Sequence, residues 1–198
     1  MGMCLVLYTI GDDSIAKLLA DPPLIWKVIA PDDPEMYASA RSEGAGPWFS
    51  RLFGKKRLAS AKPEMIAGFV SEGDLDKAWH AIHYLLTKSA WGGDPPLNFL
   101  LLGGTEVGTV DVGYGPARAL TSGQVREIHA ALLPIDEAGL RSRFDPTEMM
   151  ALDIYPAIWD RDPAEEDTFA YCAEYFGELK FLLAEAEQQR LGLIIHCC

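Results

Sequence analysis

Runs of apolar residues along the chain mark its predicted strands. Residues 3–10 are rich in β-forming side chains and are followed by Gly11-Asp12-Asp13, which indicates a buried first strand. Residues 191–197 form a second β-rich run near the other end of the sequence. Shorter strands are expected at residues 66–70 and 117–120, and the glycine-rich residues 105–115 are interpreted as a loop that contains a little strand.

Apolar side chains spaced three or four residues apart predict two prominent helices. Residues 74–87 place Leu75, Trp79, Ile82 and Leu86 on one helical face. A longer helix is predicted to begin at Asp162-Pro163, because Asp is a favoured N-cap and Pro a favoured first helical residue. The buried face of this helix would consist of Phe169, Cys172, Phe176, Leu179, Leu183 and Ala186.

Shorter helices are predicted from their capping residues. Thr121 and Gln124 match a capping box, which is typical of the first turn of a helix. Acidic N-caps are expected for a first helix and for two later short ones, namely Asp12 or Asp13, Asp136 and Asp145. Residues 34–43 are predicted to form one more short helix.

Residues 94–104 have two interpretations. Asp94-Pro95 would cap a short helix with a stripe of leucines, and Gly103-Gly104 would end it. The same leucines could instead form a buried strand. We favour the helix because both of its ends carry typical capping residues.

These elements together predict an α/β fold. A few short strands separated by many helices favour a small mixed sheet covered by helices on both faces, in a three-layer α/β/α arrangement. The 198 residues fit a single domain, since domains commonly contain about 150 residues. Apolar residues make up 49% of the chain, so the packing of one core can hold this fold together.

The charge of the chain limits its partners. A formal net charge of −12 and a pI near 4.7 argue against binding to nucleic acids or anionic membranes, and they permit a basic protein partner. Residues 44–63 are the exception, because they contain no acidic residue and are punctuated by Gly, Ser and Pro. We expect an exposed basic loop there, with five cationic residues: Arg51, Lys55, Lys56, Arg57 and Lys62.

The cysteine pattern and the first residues predict a cytoplasmic protein. The four cysteines form no Cys-x-x-Cys pair and do not resemble a disulfide framework. The apolar N-terminal run lacks the basic leader and cleavage site of a signal peptide. No apolar run reaches the roughly 18 residues that a membrane helix needs.

Several motifs carry a resemblance to a known family. Residues 75–87 are similar to the pattern Asp-Lys-x-Trp-x-x-Leu-His-x-x-Leu-Thr, and Met1-Gly2-Met3 precedes the first strand. Asp94-Pro95 leads to Leu102-Gly103-Gly104, and Ile154-Tyr155-Pro156 follows a Phe-Asp-Pro cap. In this order the motifs resemble the YfbM-like family, a bacterial family of unknown function.

The resemblance spans nearly the whole chain and implies a three-layer α/β/α fold. It implies no catalytic residue. Two features depart from the family pattern: Lys88 stands where glycine usually follows the threonine, and residues 44–63 are longer than expected.

Four residues are candidates for a ligand site. Asp76, Trp79 and His83 share one flank of the predicted helix, and Tyr155 could border the same pocket. A more ordinary interpretation is that His83 is a core histidine, Asp76 an acid that favours the helix start, and Tyr155 a packing residue.

We predict no metal site and no cofactor. The side chains of His196-Cys197-Cys198 would alternate across a strand and could not all face one ion. The glycines of residues 103–108 and 113–115 match no phosphate-binding motif, and no hydrolase or metalloprotease motif is present.

Two classes of function therefore stay open. The first is a protein-binding module, of which an immunity-like protein that neutralises a basic toxin is one form, and it is favoured by the negative charge and the lack of an active-site motif. The second is a small-molecule-binding protein or enzyme that uses a pocket near Asp76, Trp79, His83 and Tyr155. We favour the first.

Overall fold

A five-stranded antiparallel sheet forms the centre of the computed structural model, which describes residues 2–44 and 70–198. The strands are β1 (Leu5–Ile10), β2 (Glu72–Asp74), β3 (Thr105–Asp111), β4 (Pro116–Leu120) and β5 (Gly192–Cys197). Their order in the sheet is β2-β1-β5-β4-β3.

The α/β class is confirmed, but the sheet differs in one respect from the mixed sheet that was expected. Every pairing in the described residues is antiparallel, including that of β1 with β5, in which Val6 lies opposite His196. Strand direction depends on how the connections between strands cross the sheet, and the apolar pattern of each strand does not contain that information.

Helices surround this sheet. They are α1 (Asp12–Ala20), a 3-10 helix (Pro22–Ile25), α2 (Trp26–Ile29), α3 (Pro34–Gly44), α4 (Trp79–Thr87), α5 (Ser122–Leu132), α6 (Glu137–Arg141), α7 (Pro146–Ala151) and α8 (Thr168–Gln189). Among the described residues, no helix is both long enough and apolar enough to cross a membrane.

The central strands of the sheet are covered on both faces, which explains why all six residues of β1 are buried. Because successive side chains of a strand point to opposite faces, Leu5 and Leu7 pack in one cluster with residues of α4, α5 and α8. Val6 and Tyr8 pack in a second cluster with residues of α1, the 3-10 helix and α2. The expected three-layer arrangement is therefore present.

The predicted helix starts at Thr121, Asp136 and Asp145 are confirmed. The Thr121 hydroxyl accepts from the Gln124 N–H at 3.3 Å, and the Gln124 side chain accepts from the Thr121 N–H at 2.9 Å. Asp136 and Asp145 cap α6 and α7. The prediction for α1 was wrong, since Gly11 is its N-cap and the Asp12 carboxylate instead accepts from Ser122 of α5.

The long helix α8 begins later than predicted. Asp167 is its N-cap and accepts from the N–H groups of Phe169 at 3.1 Å and Ala170 at 3.0 Å. Asp162 instead closes a turn whose carbonyl accepts from Glu165 and Glu166. Two acids within six residues can both act as caps, and the local pattern did not distinguish them. Every residue of the predicted apolar stripe is buried.

Residues 94–104 form neither the favoured helix nor the alternative strand. They form consecutive turns. The Arg118 guanidinium of β4 donates to the carbonyl oxygens of Phe99, at 2.9 Å, and of Leu100 and Gly103. The turns are therefore fixed by a residue that lies outside the segment, which the local sequence could not indicate.

The helix predicted at residues 74–87 is shorter than expected. Asp74 ends the unpredicted strand β2, Asp76 adopts a left-handed backbone with φ of 42°, and α4 begins at Trp79. The predicted basic loop at residues 44–63, beyond Gly44, and residues 66–69 of the predicted strand lie outside the described residues.

Candidate functional site

Two of the candidate residues hold the start of β1 in place. Trp79 is buried, and its indole N–H donates to the Met3 carbonyl at 3.0 Å. The Tyr155 hydroxyl accepts from the Met3 N–H at 2.8 Å, and the rings of Trp79 and Tyr155 lie 6.0 Å apart. The structure brings this pair together around the backbone of Met3.

Asp76 lies beside the same N-terminal residues. Its carboxylate accepts from the Tyr171 hydroxyl at 2.8 Å and from the Cys4 thiol at 3.4 Å. Burial opposes ionisation of Asp76, but these hydrogen bonds outweigh it and lower the pKa of the carboxyl. Burial and the neighbouring Asp76 carboxylate raise the pKa of Cys4 to about 11, so this thiol is a poor nucleophile.

His83 shares no hydrogen bond or ring contact with the other three candidates in the described residues. Its side chain is fully buried, and neither ring nitrogen makes a hydrogen bond within the described residues. Burial lowers the pKa of His83 to about 4, and a weak interaction with the Gly92 backbone opposes the shift only slightly. The small cavity that Trp79 borders is not lined by His83, Asp76 or Tyr155.

His80 is the member of this region that the sequence analysis missed. Its Nε2 lies 2.7 Å from the Ala90 carbonyl, and its Nδ1 accepts from the Tyr155 N–H at 3.0 Å. These partners assign the proton to Nε2, because a carbonyl can only accept. The partners of His80 are the Ala90 carbonyl and the Tyr155 N–H, which are distant in sequence, so the local pattern could not indicate its role.

The polar atoms of Asp76, Trp79, His80 and Tyr155 therefore bond within the protein itself. Their contacts join α4, the residues before β1 and the segment around Tyr155, which is a structural role. Whether this region binds a ligand stays a prediction.

The terminal His196-Cys197-Cys198 does not form a metal centre with its described neighbours. His196 is buried and stacks on Tyr8 with 5.7 Å between ring centroids. No group of three or more His, Cys, Asp or Glu side chains in residues 2–44 and 70–198 has the arrangement of a metal site.

A groove between β2 and α8 has a different character. It encloses about 610 Å³ and is bordered by Glu72 and Asp74 of β2 and by Glu178 and Glu185 of α8. Among the residues that the structure describes, no Lys or Arg lines it. We call it the acidic groove, and its other lining residues are Ser71, Gly73, Tyr175, Gly177, Phe181 and Leu182.

The backbone of β2 is open towards this groove. The Thr9 N–H donates to the Ser71 carbonyl, and the Leu75 N–H donates to the Leu5 carbonyl, both at 2.9 Å. Because bonding to one neighbour alternates along an antiparallel strand, Glu72 and Asp74 direct their own N–H and C=O groups away from β1. No described strand pairs with that edge.

The floor of the acidic groove is apolar. Leu182 packs over Gly73, where an added Cβ would lie 2.8 Å from a Leu182 methyl carbon. Phe181 is 66% exposed, the largest exposure among the large apolar side chains of the described residues. An exposed aromatic ring beside an open strand edge is typical of a binding surface.

The carboxylates around β2 affect the pKa of two nearby tyrosines. Burial, together with Asp76, Glu178, Asp74 and Glu174, raises the pKa of Tyr175. Burial and the carboxylate of Glu72 raise the pKa of Tyr8 to about 12. The acidic groove therefore favours cationic ligands over anionic ones.

The local sequence does not indicate this groove. Glu72-Gly73-Asp74 has no apolar alternation, and about a hundred residues separate β2 from the helix beside it. The one available signal was the run of acidic residues on the solvent face of α8, which also suits a merely solvated helix.

Comparison with known proteins supports the fold. A family model, described as a domain of unknown function (DUF1877), matches residues 1–196. The crystal structure of YfbM from Escherichia coli, a protein of unknown function, is similar with a TM-score of 0.62 and 16% identity, and the match covers 97% of this chain and 98% of that one. No curated protein gives a significant match. The chain therefore belongs to the DUF1877 family, as the YfbM-like motifs indicated.

Proposed function

We propose that this protein is a protein-binding module whose acidic groove binds an extended, basic segment of a partner. The observation that carries the proposal is the open edge of β2, which lies beside four carboxylates and the exposed ring of Phe181.

The backbone of β2 would supply the affinity of such a complex. An extended segment that pairs with β2 satisfies the outward N–H and C=O groups of Glu72 and Asp74, which is how peptides add a strand to a sheet edge. The short length of β2, three residues, limits this pairing to a few hydrogen bonds. Contacts with side chains must therefore contribute as well.

The side chains around the groove would supply the selectivity. A strand added to β2 directs alternate residues towards α8, where Lys or Arg can approach Glu178 and Glu185 while their aliphatic stems cover Phe181. The charge-dependent part of the binding should weaken steeply with salt, since these carboxylates are partly exposed.

A labelled peptide of alternating lysine and valine tests this proposal through fluorescence anisotropy. It should bind, and the same peptide with N-methyl groups on alternate residues should not, because it cannot pair with β2. The double variant Glu178→Lys and Glu185→Lys should weaken binding about tenfold. It replaces two attractions with two repulsions, which together cost about 1–2 kcal/mol of binding free energy.

Glu187→Lys is the matched control. Glu187 belongs to the same helix but does not line the groove, and its replacement changes the charge as much as each single variant, Glu178→Lys or Glu185→Lys, with which it is compared. Equal weakening by the control and by the single variants would contradict the proposal, and so would undiminished binding of the N-methylated peptide.

An immunity-like role, in which the partner is a basic toxin, is one form of this function. The charge of −12 supports it, because opposite charges accelerate association with a basic protein. We also propose a cytoplasmic location, which the four free cysteines support, since thiols persist in reducing compartments.

A small-molecule-binding or enzymatic role near Asp76, Trp79, His83 and Tyr155 is the second candidate. One observation favours it: His83 is fully buried and neither ring nitrogen has a hydrogen-bond partner in the described residues. Buried histidines with a strongly lowered pKa occur often at functional sites. A His83→Leu protein that melts like the wild type but cannot replace the wild-type protein in cells would favour this role over the structural one.

A further inference from the structure

The guanidinium of Arg118 is a half-buried positive charge, and no acidic side chain of the described residues forms an ion pair with it. Glu106 lies opposite Arg118 in the pairing of β3 with β4, yet the two form no ion pair in the described residues. Burial lowers the pKa of Arg118 to about 10, and the attraction of Glu106 compensates only in part. A charge that is partly withdrawn from water loses hydration, and a paired opposite charge offsets that cost.

Only part of the hydrogen-bonding capacity of Arg118 is used within the protein. A guanidinium has five N–H donors. Two of them, on Nη1, donate to the carbonyls of Phe99 and Gly103, and one on Nη2 donates to the carbonyl of Leu100. These carbonyls carry no net charge. The Nε–H and the second Nη2–H have no partner in the part of the chain that the structure describes.

A cavity of about 150 Å³ adjoins this guanidinium. Its walls include Leu5, Trp79, Leu101, Tyr114 and Cys197. Tyr114 is 56% exposed and marks the side that is open to solvent. The volume corresponds to about five water molecules, at about 30 Å³ each. It can therefore hold a small organic anion and is too small for a nucleotide.

We propose that this cavity binds a small organic carboxylate, which pairs with the two remaining donors of Arg118. The geometry of a guanidinium matches a planar carboxylate, and an apolar wall formed by Trp79, Leu5 and Leu101 suits the short hydrocarbon part of such a ligand. The carboxylate would neutralise the positive charge of Arg118, which is partly shielded from water. The site does not depend on the acidic groove, because the two share no lining residue.

The direct probe is the Nε–H resonance of Arg118 in two-dimensional NMR spectra of the full chain. Titration with sodium acetate should move this resonance saturably, whereas sodium chloride at equal ionic strength should not. A resonance that does not move, or moves equally with both salts, would overturn the proposal.

Two variants strengthen the test. Arg118→Lys removes the bidentate donor set and should weaken acetate binding about tenfold or more, as followed by the backbone signals of residues around the cavity. Because this variant also loses bonds to three carbonyls, Leu101→Phe serves as a second variant that reduces the cavity and leaves Arg118 unchanged.

Leu101→Phe should keep the wild-type spectrum elsewhere and weaken acetate binding by at least the same factor. Arg126→Lys, on the exposed face of α5, is the matched control and should bind acetate as the wild type does. Unchanged acetate affinity in Leu101→Phe would show that the anion binds outside the cavity, which would refute the proposal.

Discussion

Replacing Trp79 with alanine should destabilise the protein more than an ordinary substitution. The side chain is 3% exposed and packs in the cluster between the sheet and helices α4, α5 and α8. Its removal leaves a cavity at the start of α4, and truncations of buried Phe or Trp to alanine cost about 3–5 kcal/mol.

The hydrogen bond of Trp79 adds to this cost. The indole N–H donates to the Met3 carbonyl at 3.0 Å, and a buried acceptor left without its donor costs about 1 kcal/mol or more. We therefore expect Trp79→Ala to lower the free energy of unfolding by about 4–6 kcal/mol. For a chain of this length, each 1 kcal/mol lowers the melting temperature by about 2–4 °C.

Urea unfolding, monitored by circular dichroism, measures the change if the denaturant slope m stays constant. Trp79→Phe keeps a ring but loses the donor, so an intermediate loss of about 1–3 kcal/mol is expected. Trp91→Ala is the matched control, because Trp91 is 62% exposed and its removal should cost less than about 1 kcal/mol. A loss below about 1.5 kcal/mol in Trp79→Ala would refute the reasoning.

Two further predictions concern His83 and metals. Burial lowers the pKa of His83 from 6.5 to about 4, so the unfolded chain binds a proton at a higher pH than the folded chain does. The free energy of unfolding therefore decreases as the pH falls between these two values. His83→Leu should thus melt like the wild type at pH 7 and lose less stability in acid; an unchanged acid dependence in thermal melts would contradict this. Elemental analysis should find no stoichiometric transition metal, since three suitable ligands do not converge in the described residues. One zinc per chain, lost on Cys197→Ser, would show that prediction to be wrong.

The sequence predicts best those elements whose signals are local. The capping box of Thr121 and Gln124 and the stripe of α8 depend on residues within one or a few turns of each other, and both are present. The terminal strand likewise follows from the β-branched and apolar residues of β5, whereas its place in the middle of the sheet was not predicted.

The features that the sequence did not predict depend on contacts between distant residues. The turns at residues 94–104 are held by Arg118, and β2 is a strand because it pairs with β1, although Glu72 and Asp74 are poor strand formers. The acidic groove exists only where β2 lies beside α8. Among the four predicted site residues, Trp79 is buried, as expected. Its hydrogen bond with the Met3 carbonyl joins residues 76 positions apart, so only the fold reveals it.

Hydrogen exchange at β2 tests the proposed function most directly. Amide exchange of the full chain should be measured by NMR with and without a saturating peptide of alternating lysine and valine. If the peptide adds a strand to the sheet, the outward N–H groups of Glu72 and Asp74 should become protected, while the exposed amides of α3 on the other face keep their rates. Peptide binding without protection of these two amides would contradict the account.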